Sequence, residues 1–314
     1  CSLVPEGSQL DLPLLIGISF FTFQSMSYII DVYRRQMEPT RSLTDFAFFV
    51  SFFPPRLAGP ILRARTFLPQ LRQPIVVTHA MMGTGTWFIV QGLFKKCIIS
   101  DYISVNFVSR IFDDPSLYSG LENLLGVYGY ALQLYCDFSG YSDMAIGLGR
   151  IFGFHFLENF NYPYIARSAT EFWRRWHMSL GQFFRDYVYI PMGGNRRHQL
   201  LNLFVVWFLT GFWHGASWNF ILWGLWFGAL IIIEKLFLLK VLKKVPVLSN
   251  IYLLFSVLIG WVLFYFTDLT SIKNCLAVMF GAAGKGFADA SLGILLQNNV
   301  FWLILAVAFC LPIV

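Results

Sequence analysis

The sequence predicts an all-α, polytopic membrane protein. Hydrophobic residues are 57% of the 314 positions and charged residues 13%, whereas soluble domains carry roughly a quarter charged residues. Several windows approach the roughly 20 apolar residues that cross a bilayer as a helix. The third observation is positional. Leu200 to Glu234 is almost unbroken apolar sequence, and between Leu201 and Ile233 its one titratable side chain is His214.

In chain order, the expected spans are Leu12–Tyr33, Met81–Ile99, Leu121–Gly153 with interruptions, Leu200–Gly211, Trp218–Ile233 and Val247–Phe266. Phe46–Ala58 and Ile272–Ala283 are shorter and read as re-entrant or tilted pieces. The chain begins at Cys1 and stops at Val314, inside an apolar run that starts near Val300. Residues 1–314 are therefore expected to form one transmembrane domain that is truncated at both ends. No signal peptide is expected, because the first residues lack a basic stretch, an apolar core and a small-residue cleavage site.

Five cysteines, at positions 1, 97, 136, 275 and 310, form no CxxC pair. They read as small core residues, not as a disulfide set, and no metal site is expected. The net charge of +6 is unevenly spread, with Arg34 and Arg35 after the first span, Arg56, Arg63, Arg65 and Arg72 in one loop, Lys95 and Lys96 breaking another span, and Lys240, Lys243 and Lys244 later. Basic loops stay on the cytoplasmic side. These clusters cannot all be cytoplasmic if every apolar run crosses once, which is a second reason to expect re-entrant segments. No basic, base-stacking soluble module is present, so nucleic-acid binding is a poor alternative and none is expected.

Ala169–Tyr189 is the longest hydrophilic piece with helical periodicity. Trp173, Trp176, His177, Leu180, Phe184 and Tyr187 recur at three- and four-residue steps and share one face, with Arg174, Arg175 and Arg185 off it. By itself this pattern fits a helix lying on a membrane surface. His177 on the aromatic face adds a chemical reading, because the turn Pro191–Asn195 follows and leads into the run that carries His214.

An ionisable ring in an apolar span is costly to keep and marks a functional position by default. Gly211 and Gly215 flank His214, and glycines in membrane helices permit close approach or a break lined by a cavity. Trp213 and Trp218 can wall a pocket. The stretch alone leaves three readings open: a general base, a histidine hydrogen-bonded to hold two helices together, and a proton relay. Asp137 and Asp143 are expected to pair with an arginine such as Arg150 or Arg174, and to lie on different faces unless Gly140 breaks their helix. There is no HExxH, GxSxG or P-loop, and Gly147–Gly153 has the wrong spacing for a dinucleotide fingerprint. His79, His155 and His198 sit in loop-like or span-end sequence and read as ordinary.

Four blocks together resemble the membrane-bound O-acyltransferase (MBOAT) family, and most closely its alginate O-acetyltransferase branch. They are Gly17–Gln24 running to Asp31–Arg34; Asp137–Gly147; Asn159–Tyr164 through Phe172–His177; and Gly211–Asn219. Leu157, Cys136 and Gly181 depart from residues common among relatives and touch neither histidine. The resemblance implies an α-helical bundle with a central tunnel, re-entrant or interfacial helices, a thioester donor arriving from the cytoplasm and an acceptor from outside. The family's invariant histidine falls on His214 and its second polar position on His177.

On this resemblance His214 is expected to deprotonate an acceptor hydroxyl, with His177 polarising the carbonyl, orienting the acceptor or relaying the proton. Arg174, Arg175 and Arg185, with Trp213, are the expected donor-binding residues, and Arg196 and Arg197 are further candidates for the donor phosphates. Acetyl-CoA is the expected donor, with no permanently bound cofactor. An exported polysaccharide such as alginate, or an extracytoplasmic partner resembling acetylesterases, is the expected acceptor. The implied location is a bacterial plasma membrane, crossed several times. Two other readings remain beside it: a proton-coupled transporter or polysaccharide flippase with His214 as intramembrane relay, and a membrane scaffold in which neither histidine has a chemical role.

Overall fold

The computed structural model describes residues 17–56 and 58–313, and the described residues form helices and loops without a strand. The longer helices are α1 (Ile18–Tyr33), α2 (Leu43–Ser51), α3 (Ala64–Leu71), α4 (His79–Leu93), α5 (Gly120–Ile151), α6 (Ala169–Arg175), α7 (Met178–Phe184), α8 (Gln199–His214), α9 (Trp218–Ile233), α10 (Pro246–Tyr265), α11 (Leu269–Met279) and α12 (Ser291–Phe309). The six expected spans are helical over most of their described lengths, whereas Phe46–Ala58 is helical only as far as Ser51 and Ile272–Ala283 as far as Met279; the part of the first span before Gly17 lies outside the described residues.

Among the described residues, α10 and α12 are the two helices apolar and long enough, by length and composition, to cross a bilayer. The sixteen residues of α8 rise about 24 Å, short of the roughly 30 Å of a hydrocarbon core. The α12 helix starts earlier than its apolar run. Asn299 is absorbed into it by donating from Nδ2 to the Leu295 carbonyl (2.9 Å).

Lys95 and Lys96 do not break their segment. Helix α4 continues through a wide-turned stretch, Phe94–Ser100, and on to Phe112. The two ammonium groups are neutralised from α5 by Asp143 (2.7 Å from Lys95) and Asp137 (2.6 Å from Lys96). The aspartates thus pair with lysines and not with Arg150 or Arg174, because the wide-turned continuation of α4 presents consecutive lysines to α5. Pairing is what makes their burial tolerable.

Gly140 leaves α5 unbroken and instead gives close contact. A Cβ on Gly92 would sit 2.5 Å from the Gly140 carbonyl oxygen, and one on Gly140 would sit 2.7 Å from that of Gly92. Two backbones meeting at such a point need both side chains absent. At its other end α5 starts with a capping box, in which Ser119 N–H donates to Glu122 Oε2 (2.8 Å) and Glu122 N–H donates to Ser119 Oγ (3.4 Å).

The expected single helix over Ala169–Tyr189 is two helices. His177 takes a left-handed conformation (φ 45°) and separates α6 from α7. The core beside this break is aromatic, with Phe172, Trp223, Phe227 and Trp261 all fully buried.

Replacing Gly92 with valine is expected to force α4 and α5 apart. The cost should be about 1–3 kcal/mol, typical of overpacking, and should appear as a lowered melting temperature in detergent. An unchanged melting temperature would show that this contact has room to give.

Candidate active site

The αL turn at His177 is held from outside its own helices. The loop 159–161 clasps it by backbone hydrogen bonds, from Met178 N–H to the Asn159 carbonyl (2.8 Å) and from Asn161 N–H to the Arg175 carbonyl (2.9 Å). A non-glycine residue in this region is strained and persists where surrounding contacts over-determine it. Helix α6, which leads into the turn, is anchored at its start by Glu234, a fully buried carboxylate. Ala169 and Thr170 N–H groups donate to its two oxygens (2.6 and 2.8 Å), and the Tyr252 hydroxyl donates to Oε1 (3.2 Å). A carboxylate at a helix N-terminus satisfies free N–H groups and complements the helix dipole.

Asn159 also fixes the tautomer of His177. Its Oδ1 accepts from the Ser179 backbone N–H (3.1 Å) and from the Ser179 hydroxyl (2.9 Å), which in turn accepts from Ile61 N–H (3.0 Å). A backbone N–H can only donate, so the atom it meets is the amide oxygen. His177 Nδ1, 3.1 Å from that oxygen, must therefore carry the proton. In the neutral ring the lone pair is left on Nε2. That atom is buried and has no hydrogen-bond partner.

His214 ends α8, and an extended Gly215 follows it. Its ring is boxed by Trp213, Trp223 and Phe264, at centroid distances of 4.7, 4.8 and 5.2 Å. It makes no hydrogen bond among the described residues. Trp213 stands between the imidazoles, 6.2 Å from His177, and stacks on Phe23 (5.5 Å).

Both histidines line one cavity of about 410 Å³. Helices α8 and α9 run antiparallel against each other. A Cβ on Gly224 would sit 2.4 Å from the Trp207 carbonyl oxygen, so the cavity can follow their length from Leu203 to His214. Eleven residues of helix separate those positions, about 17 Å. Arg174, Arg185 and Lys235 line the same cavity. The antiparallel pairing puts Lys235, just beyond α9, at the end away from His214. Arg174 and Lys235 have no ion-pair partner among the described residues; Arg185 pairs with Asp186 (2.8 Å). Burial lowers the Lys235 ammonium below its usual range, and the Arg174 charge adds to that against the opposing pull of Glu234.

Trp173, Trp223 and Trp261 also line the cavity, each with a buried indole N–H that lacks a partner. The cavity therefore joins one cationic end, free indole donors and two imidazoles. A group that is anionic at one end and carries a carbonyl at the other suits it.

Two positions differ from the sequence expectation. Arg175 turns away, bonding Glu171 (2.9 Å) and the Asn161 carbonyl (3.2 Å), and Trp213 is outside the cavity lining. Arg174 and Arg185 do line it, although helical periodicity set them off the aromatic face. Tyr187 leaves that face and donates to Asp31 Oδ1 (2.9 Å). Sequence reasoning missed Asn159, Glu234 and Lys235. The adjacent charges of Glu234 and Lys235 at the end of a long apolar run were the available signal.

The chain matches the family model described as "MBOAT, membrane-bound O-acyltransferase family" over residues 19–278. It is 42% identical to the probable alginate O-acetylase AlgI of Azotobacter vinelandii, over 93% of this chain and 59% of that protein. It is 35% identical to the peptidoglycan O-acetyltransferase of Helicobacter pylori, over 90% and 60%, and 32% identical to the teichoic acid D-alanyltransferase of Bacillus subtilis, over 68% and 57%. The chain thus spans under two thirds of the length of these relatives. With the family model covering most of its residues, the chain belongs to the membrane-bound O-acyltransferase family and is part of a membrane protein.

Proposed function

We propose that the protein is an O-acyltransferase that moves an acetyl group from a cytoplasmic thioester, acetyl-CoA, to a hydroxyl of an exported glycan or of an extracytoplasmic partner that passes it on. The observation that carries this reading is the single cavity that has unpaired cations at one end and His214 at the other. Family membership and relatives named for acetyl transfer to alginate and peptidoglycan support it. The location proposed is the bacterial plasma membrane, with several crossings.

In this reading Arg174, Arg185 and Lys235 hold the donor's phosphates, and the extended arm of the donor runs along α8 toward His214. Arginine offers paired donors to phosphate oxygens, and lysine a point charge. Arg175 has no part in it.

A thioester is already activated, so the remaining tasks are alignment, exclusion of water and removal of a proton. His214 takes the proton of the attacking hydroxyl as the oxygen bonds to the thioester carbonyl carbon. The carbon–sulfur bond then breaks, and the imidazolium returns the proton to the departing thiolate. The tautomer set by Asn159 supports an accepting role for His177. Its Nε2 holds the acceptor hydroxyl or relays the proton, and a neutral ring of this tautomer has no N–H left to polarise a carbonyl. That donor role falls to the Trp223 indole N–H beside His214, which is free to meet the charge developing on the carbonyl oxygen.

The His214→Ala protein should transfer acetyl groups roughly 10²- to 10⁴-fold more slowly, the scale of losing a general base, while inserting normally. Labelled acetyl-CoA given to purified protein measures this, and transfer at the unmodified rate would remove His214 from the chemistry. Lys235→Glu should raise KM for acetyl-CoA by about tenfold or more, as loss of one charge-assisted contact to phosphate predicts, with a smaller change in kcat. An unchanged KM places the donor elsewhere. Trp223→Phe deletes the donor while keeping a smaller aromatic ring; kcat should fall by about tenfold or more, whereas wild-type kcat would reduce Trp223 to a wall of the cavity.

A further inference from the structure

A second cavity, of about 240 Å³, lies behind His177 on the far side of Asn159 and Phe160. Its character is opposite to that of the first. Ser139, Ser142 and Asn159 line it, each at most 1% exposed. The two serine hydroxyls and Asn159 Nδ2 are buried without hydrogen-bond partners. Buried polar groups are normally satisfied, so three orphans in one cavity point to something that satisfies them. The Lys95–Asp143 ion pair forms another part of the wall, and Glu158 and Trp87, both exposed, line it as well.

We propose that this second cavity binds a neutral, hydroxyl-rich ligand, a sugar unit of a glycan. Hydroxyls both donate and accept, and so do the two serines; the free amide N–H of Asn159 needs an acceptor, which a sugar oxygen supplies. The charges exclude an anion. One ammonium faces two carboxylates, and that ammonium is already bound to Asp143 at 2.7 Å. A uronate or phosphate would enter a negative field with no free cation among the lining residues to meet it. Trp87, Phe88 and Tyr162 add aromatic surface for the C–H face of a sugar ring.

Asn159 links this cavity to the first. One end of its amide holds His177 and Ser179, and the other end is left for the ligand. A sugar accepting from Nδ2 would stiffen the residue that orients His177. Phe138, which lines the first cavity, stands edge-on to Phe160, which lines the second (5.0 Å), and to His177 (4.7 Å). The partition between the two spaces is thus a pair of rings and one amide. The proposal goes beyond acyl transfer and does not require it.

The test is binding, read by saturation-transfer NMR on the purified protein in a detergent without a sugar head group. The probes are methyl β-D-glucopyranoside and the corresponding glucuronide. The neutral glycoside should bind and the glucuronide should bind several-fold more weakly. Ser139→Ala with Ser142→Ala should weaken the glycoside by about tenfold or more, the effect of losing hydrogen bonds to a buried ligand. If the double variant does not fold, Ser142→Ala alone should weaken it measurably. His214→Ala should bind the glycoside as the wild type does, so failure of the catalytic proposal leaves this result intact. The proposal is overturned by absence of any glycoside signal in folded wild-type protein, which would leave the cavity to water. It is also overturned by equal or tighter binding of the glucuronide, or by binding that survives the serine changes and is lost in His214→Ala.

Discussion

Asn159 holds together the part of the molecule where the chemistry is proposed. Its side-chain oxygen gathers three donors from the turn at His177 and Ser179, and its backbone carbonyl takes a fourth from Met178. Without this loop the left-handed turn has no external support, and the segment would relax toward the continuous helix that its periodicity favours. A continuous helix would carry the imidazole elsewhere and leave its protonation pattern undetermined. The break makes His177 a wall of the cavity, and the amide oxygen makes its free nitrogen an acceptor.

Charge is handled in two distinct ways. Away from the main cavity, buried and half-buried cations are matched, as Lys95 is by Asp143, Lys96 by Asp137 and Arg63 by Asp186. Removing one partner from such a pair would strand a buried charge, which is why they come together. Along the main cavity the pattern changes, and Arg174 and Lys235 meet no carboxylate. Glu234, the nearest acidic group in sequence to Lys235, is instead committed to the start of α6. The same carboxylate positions the helix that carries Arg174 and leads to His177. One residue thereby ties the cationic end of the cavity to the placement of the imidazole.

The aromatic content has a similar double character. Tryptophans 173, 223 and 261 fill the interior and make edge-to-face contacts, with Trp173 5.4 Å from Trp223, so they supply the close packing that a membrane bundle relies on. Their unpartnered N–H groups also leave the cavity with donors already in place. An interior built this way excludes water and keeps hydrogen-bonding capacity for a ligand.

The sequence by itself determined the helical class, the apolar runs, the family resemblance and the two histidines, because each is a local pattern: a hydropathy window, a motif, or a lone titratable residue in apolar surroundings. The tertiary structure decided the break at His177, the lysine partners of Asp137 and Asp143, and which arginines reach the cavity. Those depend on groups far apart in the chain. Glu234 meets Ala169 across 65 positions and Lys95 meets Asp143 across 48, and no periodicity within either segment encodes the meeting. Helical spacing set Arg174 off the aromatic face, yet the cavity is wide enough to be lined by it as well as by Trp173. Local propensity sets what each stretch can be, and long-range hydrogen bonds and ion pairs select which of those forms builds the cavity.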